Sequence, residues 1–241
     1  MFWLPDEANA VPANSPACTL LLTAVPYFER LMPDAAATRE SDRLPPDADI
    51  DQLREGAQRC RDCPIGKNAT QAVFGEGPAT AKLMLVGEQP GDKEDLAGHP
   101  FVGPSGHLLD KAMQELGWPR DSLYLTNAVK HFKFEPRGKR RIHKSPAQQE
   151  IDACLQWLDR ELEVVQPRAI VALGATAARA LVDRPVGIMR ERGNWIVRAD
   201  GLRVLVTLHP SALLRGPPQD RAAAFAKWLD DLRHASRYMR E

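Results

Sequence analysis

Four short runs, residues 82–86, 123–126, 169–173 and 202–208, are dominated by apolar residues rich in Leu and Val. Runs of that length and composition fit strands buried on both faces of a sheet. Between them apolar residues recur at helical spacing. Leu108, Leu109, Ala112, Met113 and Leu116 mark one helix; Ile151, Cys154, Leu155, Leu158 and Leu162 a second; Phe225, Trp228, Leu229 and Leu232 a third. The second is expected to open with Ser145 as N-cap, Pro146 at the first helical position and Gln148 at the third. This alternation predicts an α/β fold of three layers, α/β/α, around a central, mainly parallel four-stranded sheet. Each strand ends in a polar or glycine-bearing turn: residues 87–92, Asn127, Gly174 and residues 209–211. Ligands of open α/β sheets bind outside the carboxyl ends of the strands, so Glu88, Asn127 and His209 are expected to face one pocket.

The first fifty residues hold seven prolines and no sustained periodicity. Residues 1–55 are therefore read as an irregular extension, a remnant of another module, and 56–241 as one domain. The apolar stretch 17–25 is too short to span a bilayer, ends at Pro26 and follows acidic residues, which argues against a signal peptide. A cytoplasmic, monomeric protein with no membrane partner is expected. Four cysteines, one of them Cys18 in the extension, are too few for a disulfide scaffold.

Charge sharpens the picture locally. The chain balances 32 basic against 32 acidic residues, yet residues 130–144 carry seven Lys or Arg and one acid. Such an excess reads as a footprint for a polyanion. Within it Lys139, Arg140 and Arg141 suit phosphate contacts, since arginine does not give up its proton. His143 follows them on what reads as a loop. Surrounding cations disfavour its imidazolium form and leave a neutral nucleophile or base. Cys60 and Cys63 have the spacing for two thiolates on one metal or cluster, and from the spacing alone zinc, a redox dithiol and an incidental pair remain open.

Taken in order, Gly-Glu-Gln-Pro-Gly-Asp-Lys-Glu-Asp (87–95), Pro-Phe-Val-Gly (100–103), Thr-Asn-Ala-Val-Lys (126–130) and His-Pro-Ser (209–211) resemble the iron-sulfur uracil-DNA glycosylases over residues 60–233. The Lys-Arg-Arg-Ile-His insertion (139–143), with Gln89 and His131, resembles the UdgX branch, whose members become covalently attached to uracil-containing DNA. The resemblance implies a 4Fe–4S cluster held by Cys60, Cys63, His131 and Cys154. Here His131 stands where ordinary members carry cysteine, and imidazole ligation of iron is chemically allowed. The plainer readings are a buried apolar Cys154 and a DNA-facing His131.

For the reaction, the resemblance implies base excision on DNA, with single strands accepted. A flipped uracil would be read by Asn127, which accepts from N3–H and donates to O4, against Phe101 as a stacking face. His209 would donate to O2 and stabilise the departing base; Glu88 would stabilise charge at the sugar and hold His143 in its reactive tautomer. His143 would then attack C1′ in a single turnover. Gln89 and Asp92 would support the pocket. Beside His209, Ser211 belongs to the DNA-contacting motif, Arg215 would grip a phosphate, and Leu213 or Leu214 would wedge into the gap left by the base or else pack in the core. An ordinary multiple-turnover glycosylase and a non-catalytic iron-sulfur DNA-binding module are the alternatives.

Overall fold

The computed structural model describes residues 39–239; the expectations for the apolar stretch 17–25 and for Cys18 lie outside them. Its centre is a five-stranded sheet in the order β2-β1-β5-β7-β6. These strands are β1 (Leu83–Gly87), β2 (Tyr124–Asn127), β5 (Ala169–Leu173), β6 (Trp195–Val197) and β7 (Arg203–Thr207). β1, β2, β5 and β7 run parallel and correspond to the four apolar runs. The fifth, β6, lies antiparallel on the β7 edge. It carries only three residues, too few to make a period in the sequence.

Alternation along β1 sorts its side chains to two cores. Met84 and Val86 join a cluster with Leu53, Trp157, Ile170 and Val204. Leu83 and Leu85 join the opposite cluster with Leu109, Met113, Trp228 and Leu232. The first face is covered by α1 (Ile50–Arg59), α4 (Gln148–Val165) and α5 (Ala175–Val182), the second by α3 (Pro104–Leu116), α7 (Pro210–Arg215) and α8 (Arg221–Arg233). Two shorter helices, α2 (Asp92–Ala97) and α6 (Ile188–Glu191), follow β1 and precede β6. Trp157 and Trp228 are fully buried, one in each core. Truncating either to alanine would cost about 3–5 kcal/mol. Among the described residues no helix is long and apolar enough to cross a membrane.

Three expectations are corrected. Residues 39–55 are not irregular: Asp49 caps α1 by accepting from Gln52 N at 2.9 Å, and Leu53 is wholly buried in the first core. Upstream, the backbone N–H groups of Glu40 and Ser41 donate to Asp62 and Gln156. Prolines 45 and 46 disguise this short helix in the sequence. Second, α4 opens at Gln148 with Ala147 as N-cap, its N–H donating to the Glu150 carboxylate at 2.6 Å. The chain is still extended at Lys144, whose N–H pairs with Lys133 O, and Ser145 is on the wall of a cavity. The cap therefore lies two residues beyond the expected one.

Third, the basic segment is a β-hairpin rather than a loop. β3 (Phe134–Arg137) pairs antiparallel with β4 (Arg140–His143), placing Phe134 opposite His143 and Arg137 opposite Arg140. Gly138 begins the two-residue turn with φ of +57°, a conformation that glycine adopts without strain.

Candidate active site

The carboxyl ends of β1, β2, β5 and β7 open on a cavity of about 720 Å³, lined among others by Glu88, Gln89, Phe101, Asn127, His143 and His209. The expected convergence is thus present, and His143 at the end of β4 shares it. Asp92, Ser211 and Arg215 reach the same wall.

The floor depends on Gly87. A Cβ there would sit 2.3 Å from Asn127 Oδ1 and 2.8 Å from Phe101 Cζ, so only glycine lets the amide and the ring cross the end of β1. Asn127 is buried, and its main chain is anchored by Lys130 Nζ, which donates to its carbonyl at 2.7 Å. The same ammonium meets Glu161 Oε2 at 2.6 Å with both side chains wholly buried. Thr126 and Tyr124 hydroxyls also donate to this carboxylate. Phe101 holds a positive φ of 57°, which costs a non-glycine residue about 1–2 kcal/mol. It is held there by α3, because at Gly106 a Cβ would fall 1.8 Å from Phe101 O. Its ring lies stacked toward His209, with centroids 6.5 Å apart.

His209 caps α7. Its Nδ1 accepts from Ser211 N at 3.2 Å and contacts Ser211 Oγ at 2.8 Å, so the neutral ring carries its proton on Nε2. Burial, then the Arg215 and His143 charges, push its pKa down to about 4. Arg215 is exposed beside it, its Nη1 donating to Ser211 Oγ at 3.0 Å.

His143 is held by Gln89, and this changes two expected roles. Gln89 Oε1 accepts from Lys133 N at 3.1 Å, while Nε2 donates to Lys144 O at 3.0 Å and meets His143 Nε2 at 2.9 Å. The backbone bonds fix the amide's orientation, so its N–H faces the ring and Nε2 bears the lone pair. Gln89, rather than Glu88, therefore selects the tautomer. Glu88 Oε1 faces the same nitrogen at 3.7 Å, beyond hydrogen-bond reach. His143 is half exposed, and its pKa is lowered chiefly by burial, opposed by Glu88 and assisted by Arg215. The neighbouring hairpin cations are not the main cause.

Arg141 is also not a free phosphate binder. Its guanidinium donates to Asp92 Oδ1 at 2.6 Å, to the fully buried Asp95 at 2.5 Å and to Thr70 Oγ1 at 3.1 Å. It lies over the rings of Phe132 and Phe134. Lys139 and Arg140 remain exposed at the hairpin tip. Leu213 is buried in the second core and is no wedge; Leu214 is half-buried. One contact gave no signal in the sequence: Thr176 Oγ1 donates to Glu88 Oε2 at 2.6 Å.

In the first core, Cys60, Cys63 and Cys154 are buried free thiols, and His131 is buried as well. A Cβ on Gly66 would sit 3.1 Å from Cys60 O and 3.3 Å from His131 Cε1, so this turn brings the imidazole against the cysteine segment. Burial pushes Cys154 up to about 12 and raises Cys60, and it lowers His131 to about 4. The imidazole is thus a neutral electron-pair donor, and a cation at the site would draw the Cys60 and Cys154 thiols into thiolates. No three His, Cys, Asp or Glu side chains among the described residues converge as on a single ion. The donors around sulfur nevertheless suit thiolate ligands: Lys130 N–H points at Cys154 Sγ, 3.2 Å away, and the buried Trp157 indole bears on the Cys60 thiol. The residues fit an iron-sulfur group.

The family model of the uracil DNA glycosylase superfamily matches residues 74–233. The chain is 40% identical to the Type-4 uracil-DNA glycosylase of Thermotoga maritima over 164 residues, 68% of this chain and 82% of that protein. It is 37% identical to the Type-4 enzyme of Pyrobaculum aerophilum over 195 residues, 76% of this chain and 96% of that one. To the Type-5 uracil-DNA glycosylase of the same organism it is 34% identical over 154 residues, 57% of this chain and 64% of the relative.

Proposed function

The chain belongs to the uracil DNA glycosylase superfamily, and on that premise we propose that it excises uracil from DNA and is then trapped on the sugar through His143. The observation that carries the second half is the position of the His143 ring, in the cavity that also holds Glu88, Asn127 and His209.

A flipped uracil enters against Phe101, and the Asn127 amide accepts from N3–H and donates to O4; cytosine presents the reverse pattern. The C1′–N1 bond breaks with its electron pair going to the base. His209 Nε2–H then donates to O2, which carries part of that charge, and the neutral ring need not be deprotonated first. The Glu88 carboxylate stabilises the positive charge left at C1′. The Nε2 lone pair of His143 turns from Gln89 to C1′ and forms the new N–C bond, while the ring proton on Nδ1 is lost to solvent. Among the described residues no neighbouring group is arranged to hydrolyse the alkylated imidazole, so the protein turns over once. Lys139, Arg140 and Arg215 supply phosphate contacts, and Leu214 fills the vacated stack. Cys60, Cys63, His131 and Cys154 would hold a 4Fe–4S cluster whose chemistry here is structural: it would tie the cysteine segment and α4 to the base of the hairpin.

The test is a denaturing gel of the protein mixed with single-stranded uracil DNA. A shifted band that survives SDS and heat is expected. Free abasic DNA beside unmodified protein would instead make this an ordinary multiple-turnover glycosylase, and salt-sensitive binding without uracil release would make it a binding module.

A further inference from the structure

We propose that Thr176 is a positioning residue that divides the labour of the two Glu88 oxygens, an inference that rests on the reaction proposed above. Thr176 stands in the first turn of α5, directly beyond β5, and shares the wall of the cavity with Glu88. Its hydroxyl donates to Glu88 Oε2 at 2.6 Å, a length typical of a charge-assisted bond to a carboxylate. The other oxygen, Oε1, is the one that faces His143 Nε2 at 3.7 Å. With Oε2 occupied, the carboxylate plane is fixed and Oε1 alone addresses the space where C1′ must pass.

The approach of α5 is itself built in. Gly174 precedes the helix with φ of +97°, and a Cβ there would lie 3.1 Å from His209 Cβ. Gly174 N donates to Thr207 O at 2.8 Å, tying this turn to the end of β7. The hydroxyl is therefore delivered by a turn packed on the leaving-group histidine.

Without the hydroxyl, the Glu88 carboxylate loses its aim. It is then free to rotate, and its negative charge is no longer held toward C1′. Thr176→Val preserves shape and removes the donor; Thr176→Ser restores it. Hydrogen bonds to charged groups contribute enough to expect a fall of roughly ten- to hundred-fold in the single-turnover rate of uracil release for T176V. T176S is expected to stay within about threefold of wild type, a difference too small to represent a lost hydrogen bond. Affinity for an oligonucleotide bearing a non-cleavable 2′-fluoro-deoxyuridine is expected to be unchanged in both, because Thr176 acts on the rate step and not on binding.

The experiment measures uracil release, SDS-stable adduct and that affinity for the three proteins, with thermal melts to confirm folding. A slow T176V with normal affinity and a rescued T176S supports the assignment. Equal rates in wild type and T176V overturn it while leaving the reaction intact, and so does a T176S as slow as T176V. A wild-type protein that releases no uracil overturns both this inference and the function on which it rests.

Discussion

Replacing Arg141 separates a latch from a phosphate grip. The guanidinium joins the hairpin to Asp92 and Asp95 at the start of α2, and its side chain is 22% exposed while Asp95 is wholly buried. Breaking a buried pair costs about 3–5 kcal/mol because a charge is left unpaired. Here Asp95 still accepts from Thr70 N at 3.0 Å and Asp92 is partly solvated. The cost of Arg141→Gln is therefore placed at about 1–3 kcal/mol, falling mainly on hairpin docking. Since Gln89 also grips Lys133 and Lys144, the protein stays folded, and the alignment of His143 suffers most. The SDS-stable adduct is expected to form about tenfold or more slowly, with uracil release altered far less. Arg141→Lys keeps the charge but not the planar fork, and is expected to resemble Gln more than wild type. The assay pairs single-turnover gels with DNA affinity over a salt series. Removing one phosphate-binding cation from a complex with single-stranded DNA reduces the salt slope by about 0.7, whereas removing a latch leaves it unchanged. A reduced slope with a fully active Lys variant would refute the reasoning.

Three further outcomes follow from the same geometry. His143→Ala is expected to abolish the adduct and leave uracil release measurable, whereas Glu88→Gln slows both; gels and base-release assays on the two variants check this, and an undiminished adduct in the first is fatal to its role. Because burial lowers His209 from its usual 6.5 to about 4, the unfolded chain takes up this proton first as the medium is acidified. Stability linked to this group is thus complete above about pH 6.5 and falls by up to about 3 kcal/mol between there and pH 4; in denaturant melts over that range wild type should lose stability relative to His209→Gln as the pH falls, and parallel profiles would contradict the assignment. Lys130→Ala leaves the Glu161 charge buried and is expected to cost about 3–5 kcal/mol, while Lys130→Met with Glu161→Met recovers most of it; a mild Lys130→Ala on thermal melting would show the pair to be dispensable.

What the sequence made legible follows the range of the interactions involved. The strands of the parallel sheet are continuous apolar runs, so their positions and the turns beyond them could be read directly, and Glu88, Asn127 and His209 indeed share a cavity. β6 spans three residues, too few for a period, and the helical spacing of Ile50, Leu53 and Ala57 in α1 is short and directly follows the proline-rich stretch that reads as irregular. Local charge density pointed to the basic hairpin but misled about Arg141, because Asp92 and Asp95 lie almost fifty positions upstream. Thr176 and Glu88 are separated by 88 positions, and only the folding of β5 beside β1 brings them together. Which amide or carboxylate holds which face of an imidazole is a matter of less than an ångström, 2.9 Å against 3.7 Å here, and no spacing rule carries that information.

The most direct test of covalent capture is peptide mass spectrometry after incubation with a uracil-containing oligonucleotide and nuclease digestion. A deoxyribose-phosphate remnant on the peptide containing His143, with fragment ions assigning it to that imidazole, is the predicted result. A remnant on another side chain, or unmodified protein in the presence of released uracil, would contradict it.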